Sequence, residues 1–165
     1  MRAFKSGNYL LSEAKLEVRL VYTGFLLLAL VGFATTAAFQ LFHIGATPAH
    51  IAAYFRGGES GDVMTFAKTP RELMEATHFH AFTMGLVYLV LAHLLLATGA
   101  SERLKLVAIV VGLVAFTGDL AGGWLVRYGG AGFAPLLLLC WVGQWLAVGA
   151  YVYFPLWEMW FRRTR

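Results

Sequence analysis

Three histidines and a glutamate interrupt an otherwise apolar stretch, EATHFHAFTMGLVYLVLAHLL, at residues 75–95. Glu75, His78, His80 and His93 are titratable, and titratable groups are costly inside a bilayer unless a partner satisfies them. Neutral imidazole is a common ligand of metals and of haem iron, so the stretch predicts a metal or cofactor site. The alternative is that these side chains pair with neighbouring groups or with interfacial water.

The spacing of these histidines limits how they can act together. At 100° per residue, His78 and His80 point about 200° apart on a helix and cannot bind one ion from a single face. His78 and His93 are fifteen positions apart, which places them about 60° apart in azimuth and about 22 Å apart along the axis. They share a broad face with Gly85, a small residue that lets a flat cofactor or another helix approach closely.

Long apolar segments must hold these residues. The chain is 59% hydrophobic and 13% charged, whereas soluble domains have about 45–50% apolar and about 25% charged residues. A spanning helix needs about 20 mainly apolar residues. The sequence therefore predicts an all-α, integral membrane four-helix bundle. We expect a single transmembrane domain over residues 1–165, with spans at about 20–43, 77–98, 104–128 and 133–157.

The distribution of positive charge predicts the orientation. Nine of the thirteen Lys and Arg residues lie before the first span, between the second and third spans, or at the C-terminus. Because cytoplasmic loops carry the excess of Lys and Arg, both termini are predicted to be cytoplasmic in a bacterial inner membrane. The lipid bilayer is then the first partner, while the absence of a basic patch interleaved with aromatic residues argues against nucleic acid.

The predicted outer loop, residues 44–76, contains signals for short helical segments. Thr47 and Pro48 are typical of a helix start, and Gly57 of a helix end. Thr69 and Glu72 form a capping-box pattern around Pro70. The second spanning helix is therefore predicted to begin near Pro70, outside the apolar stretch.

Further polar residues are predicted near the outer surface. Asp119 and Arg127 lie eight positions apart in the third span, and Gln40 ends the first span at a similar depth. Asp119 and Arg127 are predicted to form an ion pair, or Arg127 to contact lipid head groups. Asp119 is also a candidate for proton transfer, because burial raises the pKa of a carboxyl group. Gln144, near the middle of the fourth span, is predicted to hydrogen-bond a neighbouring helix.

Histidines at two depths of one helix resemble the arrangement in four-helix membrane b-type cytochromes of respiratory and photosynthetic chains. The resemblance implies haem b near the outer face, with His43 and His78 as axial ligands and His80 and His93 in reserve. It also implies that Arg127 could contact the propionates. His93 has no second histidine at its depth, so a second haem would need a ligand from another chain.

A wider pattern resembles small four-span bacterial membrane proteins associated with respiratory cytochromes. It consists of the segments TPAHI, RELMEATHFHAF, GDLAGGWLVRY and LWEMW. This resemblance spans most of the chain and implies no established activity.

Three functions follow as hypotheses. The first is a haem-binding electron-transfer protein or redox subunit that exchanges electrons with quinone or a periplasmic cytochrome, with Glu75 and Asp119 as proton or ion-pair candidates. The second is a non-redox structural subunit or assembly factor of a respiratory or photosynthetic complex. Its partner is then another protein of that complex or a second copy of this chain. The third is a small metal-handling or transport protein. Motifs of soluble enzymes are absent, and no catalytic residue is assigned.

Overall fold

Four long helices dominate the computed structural model, which describes residues 10–60 and 63–162. All four are long and apolar enough to cross a membrane, which confirms the predicted all-α, integral membrane four-helix architecture. The spanning helices are α1 (Leu16–Phe39), α3 (Pro70–Leu96), α4 (Glu102–Trp124) and α5 (Ala134–Trp160), and a short helix, α2 (Pro48–Arg56), lies between α1 and α3.

The two ends of the bundle differ. One end, here called the loop end, carries residues 44–60 and 63–69 and the α4–α5 connection. The other, the terminal end, carries residues 10–15, 97–101 and 161–162. An even number of spans places both described termini at the same end, as predicted. The predicted cytoplasmic location of that end stays a prediction.

Capping residues explain how the loop end is built. The Thr47 side chain accepts a hydrogen bond from the His50 backbone at 3.2 Å, so α2 begins at Pro48 as predicted. Thr69 and Glu72 form the predicted capping box, in which the Glu72 carboxylate accepts from the Thr69 backbone at 2.8 Å. α3 therefore begins about two turns before the predicted span at residue 77, and His78 and His80 lie on a continuous helix.

Two short features of the loop end were not predicted. A hairpin of β1 (Gly58–Ser60) and β2 (Val63–Thr65) follows α2, with antiparallel register between Gly58 and Thr65. α1 and α4 each end in a π-helical turn, Gln40–Ile44 and Leu125–Gly129. Each turn is followed by a glycine with positive φ, 98° at Gly45 and 129° at Gly130, which few other residues adopt.

Helix α5 is the centre of the bundle, and its main partner is α4. Small residues on α4 allow this close approach: the Tyr151 ring of α5 packs against Gly112, and its hydroxyl donates to the Ala108 carbonyl at 2.8 Å. α3 packs against both α4 and α5, whereas α1 packs mainly against α5. Of the residues in α1, only Leu26 and Phe33 are buried, so α1 is the most loosely held spanning helix.

At the terminal end, one arginine ties three segments together. The Arg19 guanidinium donates to the carbonyls of Ser12 and Ala14 at 2.7 and 2.8 Å, and to that of Met159 in α5 at 2.7 Å. The bond to Met159 satisfies a carbonyl in the last turn of α5, where carbonyls have no partner within the helix.

We predict that Gly112→Ala destabilises the bundle while Gly149→Ala does not. A Cβ at position 112 would lie 2.9 Å from a Tyr88 ring carbon and would also collide with the Tyr151 hydroxyl, whereas a Cβ at position 149 meets nothing within 4 Å. Overpacking of this kind costs about 1–3 kcal/mol. Thermal unfolding in detergent measures the difference, and equal melting temperatures for the two variants would contradict this packing.

Candidate functional site

A partly open cavity with a mainly apolar wall lies at the loop end of the bundle, between the four spanning helices and α2. Its volume is about 180 Å³, and all five helices contribute to its wall. The polar residues of the wall come from different helices: Thr36, Gln40, Tyr54, Thr77, His80 and Asp119. Aromatic rings cover much of the remainder: Phe39, Phe55, Trp124 and Trp141.

Asp119 of α4 is the one carboxylate of this cavity. Its Oδ1 accepts a hydrogen bond from Trp141 Nε1 at 2.9 Å, and its Oδ2 accepts one from Gln144 Nε2 at 3.0 Å. Both donors belong to α5 and are buried. Within residues 10–60 and 63–162, no Lys, Arg or His side chain pairs with Asp119. Two neutral donors thus stabilise the carboxylate, and its remaining lone pairs stay available to a ligand.

His80 of α3 faces the same cavity with a defined tautomer. Its Nδ1 lies 2.7 Å from the Ala76 carbonyl oxygen. Because a carbonyl only accepts hydrogen bonds, Nδ1 is the donor, which leaves Nε2 as the acceptor when the ring is neutral. The residue is exposed at the edge of the cavity. His80, ranked below His78 as a ligand from the sequence, is the histidine of α3 that the structure brings to Asp119.

Most hydrogen-bond donors of the cavity are already used by the protein. Thr77 donates to the Leu73 carbonyl at 2.8 Å and accepts from Trp124 Nε1 at 2.8 Å. Thr36 donates to the Gly32 carbonyl at 3.0 Å. Asp119 and the Nε2 atom of His80 are acceptors, while the Tyr54 hydroxyl and the Gln40 amide of the same wall can also donate. The cavity therefore offers two acceptors to a ligand that donates hydrogen bonds, beside these two donors.

The other histidines of α3 lie on its opposite face. His78 is exposed and packs against Phe79 and Phe82, with ring centroids 5.8 and 5.4 Å away. His93 is also exposed, and its Nδ1 lies 2.8 Å from the Leu89 carbonyl oxygen. Neither residue contributes to the cavity wall.

Glu75 shares the outward face of His78 and is paired within its own helix. Its carboxylate accepts from Arg71 Nε at 2.9 Å, and both side chains are largely exposed. An exposed pair of this kind contributes little to stability.

His43 and Arg127 lie at the loop end but outside the cavity. The His43 ring packs against Phe39, with centroids 4.7 Å apart, and lies in a second, wider surface cavity of about 470 Å³ together with His50. Arg127 Nε donates to the Lys68 carbonyl at 2.8 Å. The structure therefore does not form the ion pair that the sequence predicted between Arg127 and Asp119.

These positions bear on the predicted haem. Axial ligation by His43 and His78 needs both imidazoles to face one cavity. His43 lines the wider surface cavity, whereas His78 lines neither of the two cavities described above. In the described part of the chain, no group of three or more His, Cys, Asp or Glu residues could hold a metal ion. The cavity of about 180 Å³ is also smaller than the about 300–1,000 Å³ typical of larger ligands. A haem between His43 and His78 of one chain does not fit this arrangement.

Sequence reasoning missed the partners of Asp119. Trp141 and Gln144 are three positions apart and thus on one face of α5, and that spacing could have pointed to a common acceptor. Gln144 does hydrogen-bond a neighbouring helix, as predicted, with α4 as the partner.

We expect Asp119→Asn to destabilise the bundle more than Glu75→Gln does. An amide at position 119 accepts from one donor but turns its own NH₂ group toward the other, leaving a buried donor unsatisfied at a cost of about 1–3 kcal/mol. Glu75→Gln removes only an exposed pair. The free energies of unfolding in detergent test this, and a larger loss for Glu75→Gln would refute the role assigned to Trp141 and Gln144.

Comparison with known proteins places the chain at the level of a family. Searches of curated proteins and of solved structures find no match. A family model described as a transmembrane helical domain matches residues 45–165, which include α2 to α5 and the cavity residues that they carry. The likeness to b-type cytochromes stays a prediction. The chain belongs to the Aq_1264_TM family of transmembrane helical domains.

Proposed function

We propose that the protein is a redox subunit whose loop-end cavity binds the head group of a lipid-soluble quinol. The observation that supports the proposal best is the meeting of two proton acceptors, His80 and Asp119, in one cavity between membrane-spanning helices. With the predicted orientation, this cavity lies in the outer half of the membrane.

The chemistry of the two acceptors matches a quinol. A hydroquinone ring carries two hydroxyl groups on opposite sides, and each needs an acceptor. The Asp119 carboxylate and the His80 Nε2 lone pair lie in the wall of one cavity and belong to different helices. Hydrogen bonds to an ionised group contribute about 1.5–3 kcal/mol, so the carboxylate favours the reduced ligand over the oxidised one.

The size and lining of the cavity suit one ring. About 180 Å³ accommodates a single substituted ring, and Phe39, Phe55, Trp124 and Trp141 offer faces for stacking. α1 and α3 both contribute to the cavity wall but hardly pack against each other. In this proposal the isoprenoid tail leaves the cavity between these two helices.

Oxidation of a bound quinol releases two protons and two electrons. His80 and Asp119 are the groups that accept the protons, and the exposed edge at His80 passes them to the solvent at the loop end. The electrons need an acceptor of the haem or iron–sulfur class, which we assign to a partner subunit of a respiratory or photosynthetic complex.

His80→Ala and His78→Ala form a matched pair for testing this proposal. The two histidines are two positions apart, but only His80 faces the cavity. We expect isothermal titration with a short-tailed quinol to show binding about 2-fold to 10-fold weaker in His80→Ala, the equivalent of one hydrogen bond between neutral groups. His78→Ala should bind as the wild type does, and the oxidised quinone should bind more weakly than the quinol.

Other outcomes would redirect the assignment. Unchanged quinol binding in both His80→Ala and Asp119→Asn would contradict the proposal. Binding of a small organic ammonium ion, lost in Asp119→Asn but kept in His80→Ala, would instead support the transport hypothesis, because a carboxylate among aromatic rings also suits such a cation.

Haem b remains a second candidate, supported by the chemistry of His93. Donation of its Nδ1 proton to the Leu89 carbonyl leaves Nε2 as a lone pair on the exposed face of α3. The other axial ligand would come from a partner chain. A reduced-minus-oxidised spectrum of the protein purified from haem-replete cells tests this: b-type bands lost in His93→Ala or His78→Ala would support haem, and a colourless protein would contradict it.

A further inference from the structure

We propose that Gln40 is the residue by which the loop-end cavity holds the oxidised ring, because its side-chain NH₂ group donates a hydrogen bond to a carbonyl oxygen of a bound quinone. This inference rests on the proposed function and adds a binding group for the second redox form of the ligand. Gln40 begins the π-helical turn that ends α1, is only 6% exposed, and lies in the cavity wall.

The two acceptors of the cavity leave an oxidised ring without a partner. A quinone carries carbonyl oxygens, which only accept hydrogen bonds. The Asp119 carboxylate and the His80 Nε2 atom are themselves acceptors, so they suit the hydroxyl groups of a quinol but not the carbonyl groups of a quinone. A quinone that stays in the cavity therefore needs a donor from another part of the wall.

Trp145 of α5 sets the orientation of the Gln40 amide. Its Nε1 lies 3.4 Å from Gln40 Oε1. An indole N–H only donates, so the carbonyl end of the amide is the end that faces the indole. Trp145 does not belong to the cavity wall, whereas Gln40 does. The carbonyl end thus points away from the cavity, and the NH₂ end is the polar group left to face it.

The Gln40 NH₂ group is unused by the protein and borders open space. Within residues 10–60 and 63–162, Gln40 Nε2 donates to no other group, and Glu158 Oε1 is the one fully enclosed side-chain polar atom without a hydrogen-bond partner. Gln40 Nε2 must therefore border space that a water molecule can enter, although the residue as a whole is buried. Of the two cavities, Gln40 lines only the loop-end one.

The Tyr54 hydroxyl is another donor of this wall, but it is less selective. Tyr54 lines both the loop-end cavity and the wider surface cavity, so water in the surface cavity can also satisfy its hydroxyl. A hydroxyl both donates and accepts, and it therefore suits a quinol as well as a quinone. An amide NH₂ group only donates, which makes Gln40 the group that favours a carbonyl oxygen.

Gln40→Met tests the inference, because it replaces the amide with an uncharged side chain of similar length. We expect isothermal titration with a short-tailed quinone to show binding about 2-fold to 10-fold weaker, the equivalent of one hydrogen bond between neutral groups. Quinol binding should weaken by less than about 2-fold, since a phenolic oxygen shares its lone pair with the ring and accepts more weakly than a carbonyl oxygen. The ratio of the two dissociation constants is the quantity measured, so a general loss of affinity does not imitate the result.

The carbonyl stretch of the bound quinone reports the same hydrogen bond directly. A hydrogen bond to a carbonyl group lowers its stretching frequency. With a quinone labelled with ¹³C at its carbonyl carbons, we expect infrared difference spectra to show a lower frequency in the wild type than in Gln40→Met.

Trp145→Phe keeps Gln40 but releases its amide, so Trp145 is tested as a positioning residue. We expect this variant to weaken quinone binding and to raise the carbonyl frequency, as Gln40→Met does. Trp160→Phe is the matched control, because Trp160 Nε1 donates to Thr23 Oγ1 at 2.9 Å at the terminal end, away from the cavity. The control should leave both the ratio and the frequency unchanged.

The outcomes separate this inference from the proposed function. A wild type that binds neither quinol nor quinone would overturn both. Quinol binding that depends on His80, together with an unchanged ratio and an unchanged carbonyl frequency in Gln40→Met, would overturn the role of Gln40 alone. If Gln40→Met does not fold, an unchanged ratio and frequency in Trp145→Phe would overturn that role.

Discussion

The contact of Asp119 with Trp141 and Gln144 is the interaction on which the candidate site depends. A carboxylate within a spanning helix is tolerated only where donors replace water, and both donors here come from α5. They reach Asp119 because α4 and α5 approach each other closely. Gly112 and Gly122 of α4 leave room for the side chains of Tyr151 and Leu137 of α5. The close packing of α4 on α5 therefore also determines which hydrogen-bond donors reach the carboxylate of the cavity.

The rotation of α3 about its axis is the second constraint. Two hydrogen bonds to α4 fix it: Trp124 donates to Thr77 at 2.8 Å near the loop end, and Tyr88 donates to the Ile109 carbonyl at 2.5 Å deeper in the bundle. Because Thr77 faces α4, His80 faces the cavity and His78 faces away from the bundle. A half-turn of α3 would exchange the two histidines and dismantle the site.

Local signals in the sequence predicted more than the long-range ones did. Hydropathy located the four spans, and the Thr69–Glu72 capping box located the start of α3. The face of α3 that turns inward could not be predicted, since apolar residues surround the helix and a lipid-facing side looks like a buried one. For that reason His78 was preferred to His80. The partners of Asp119 depend on the contact between α4 and α5, which the sequence does not specify.

His80 and His78 point in opposite directions, so the two faces of α3 have different environments. The inward face of α3 supplies an acceptor to the cavity, and the outward face carries Arg71 and Glu75, which pair with each other at 2.9 Å. A substitution on one face therefore leaves the other intact, because α3 is continuous and its rotation is fixed by Thr77 and Tyr88. The cavity wall and the outward face can then be altered independently, although His80 and His78 are only two positions apart.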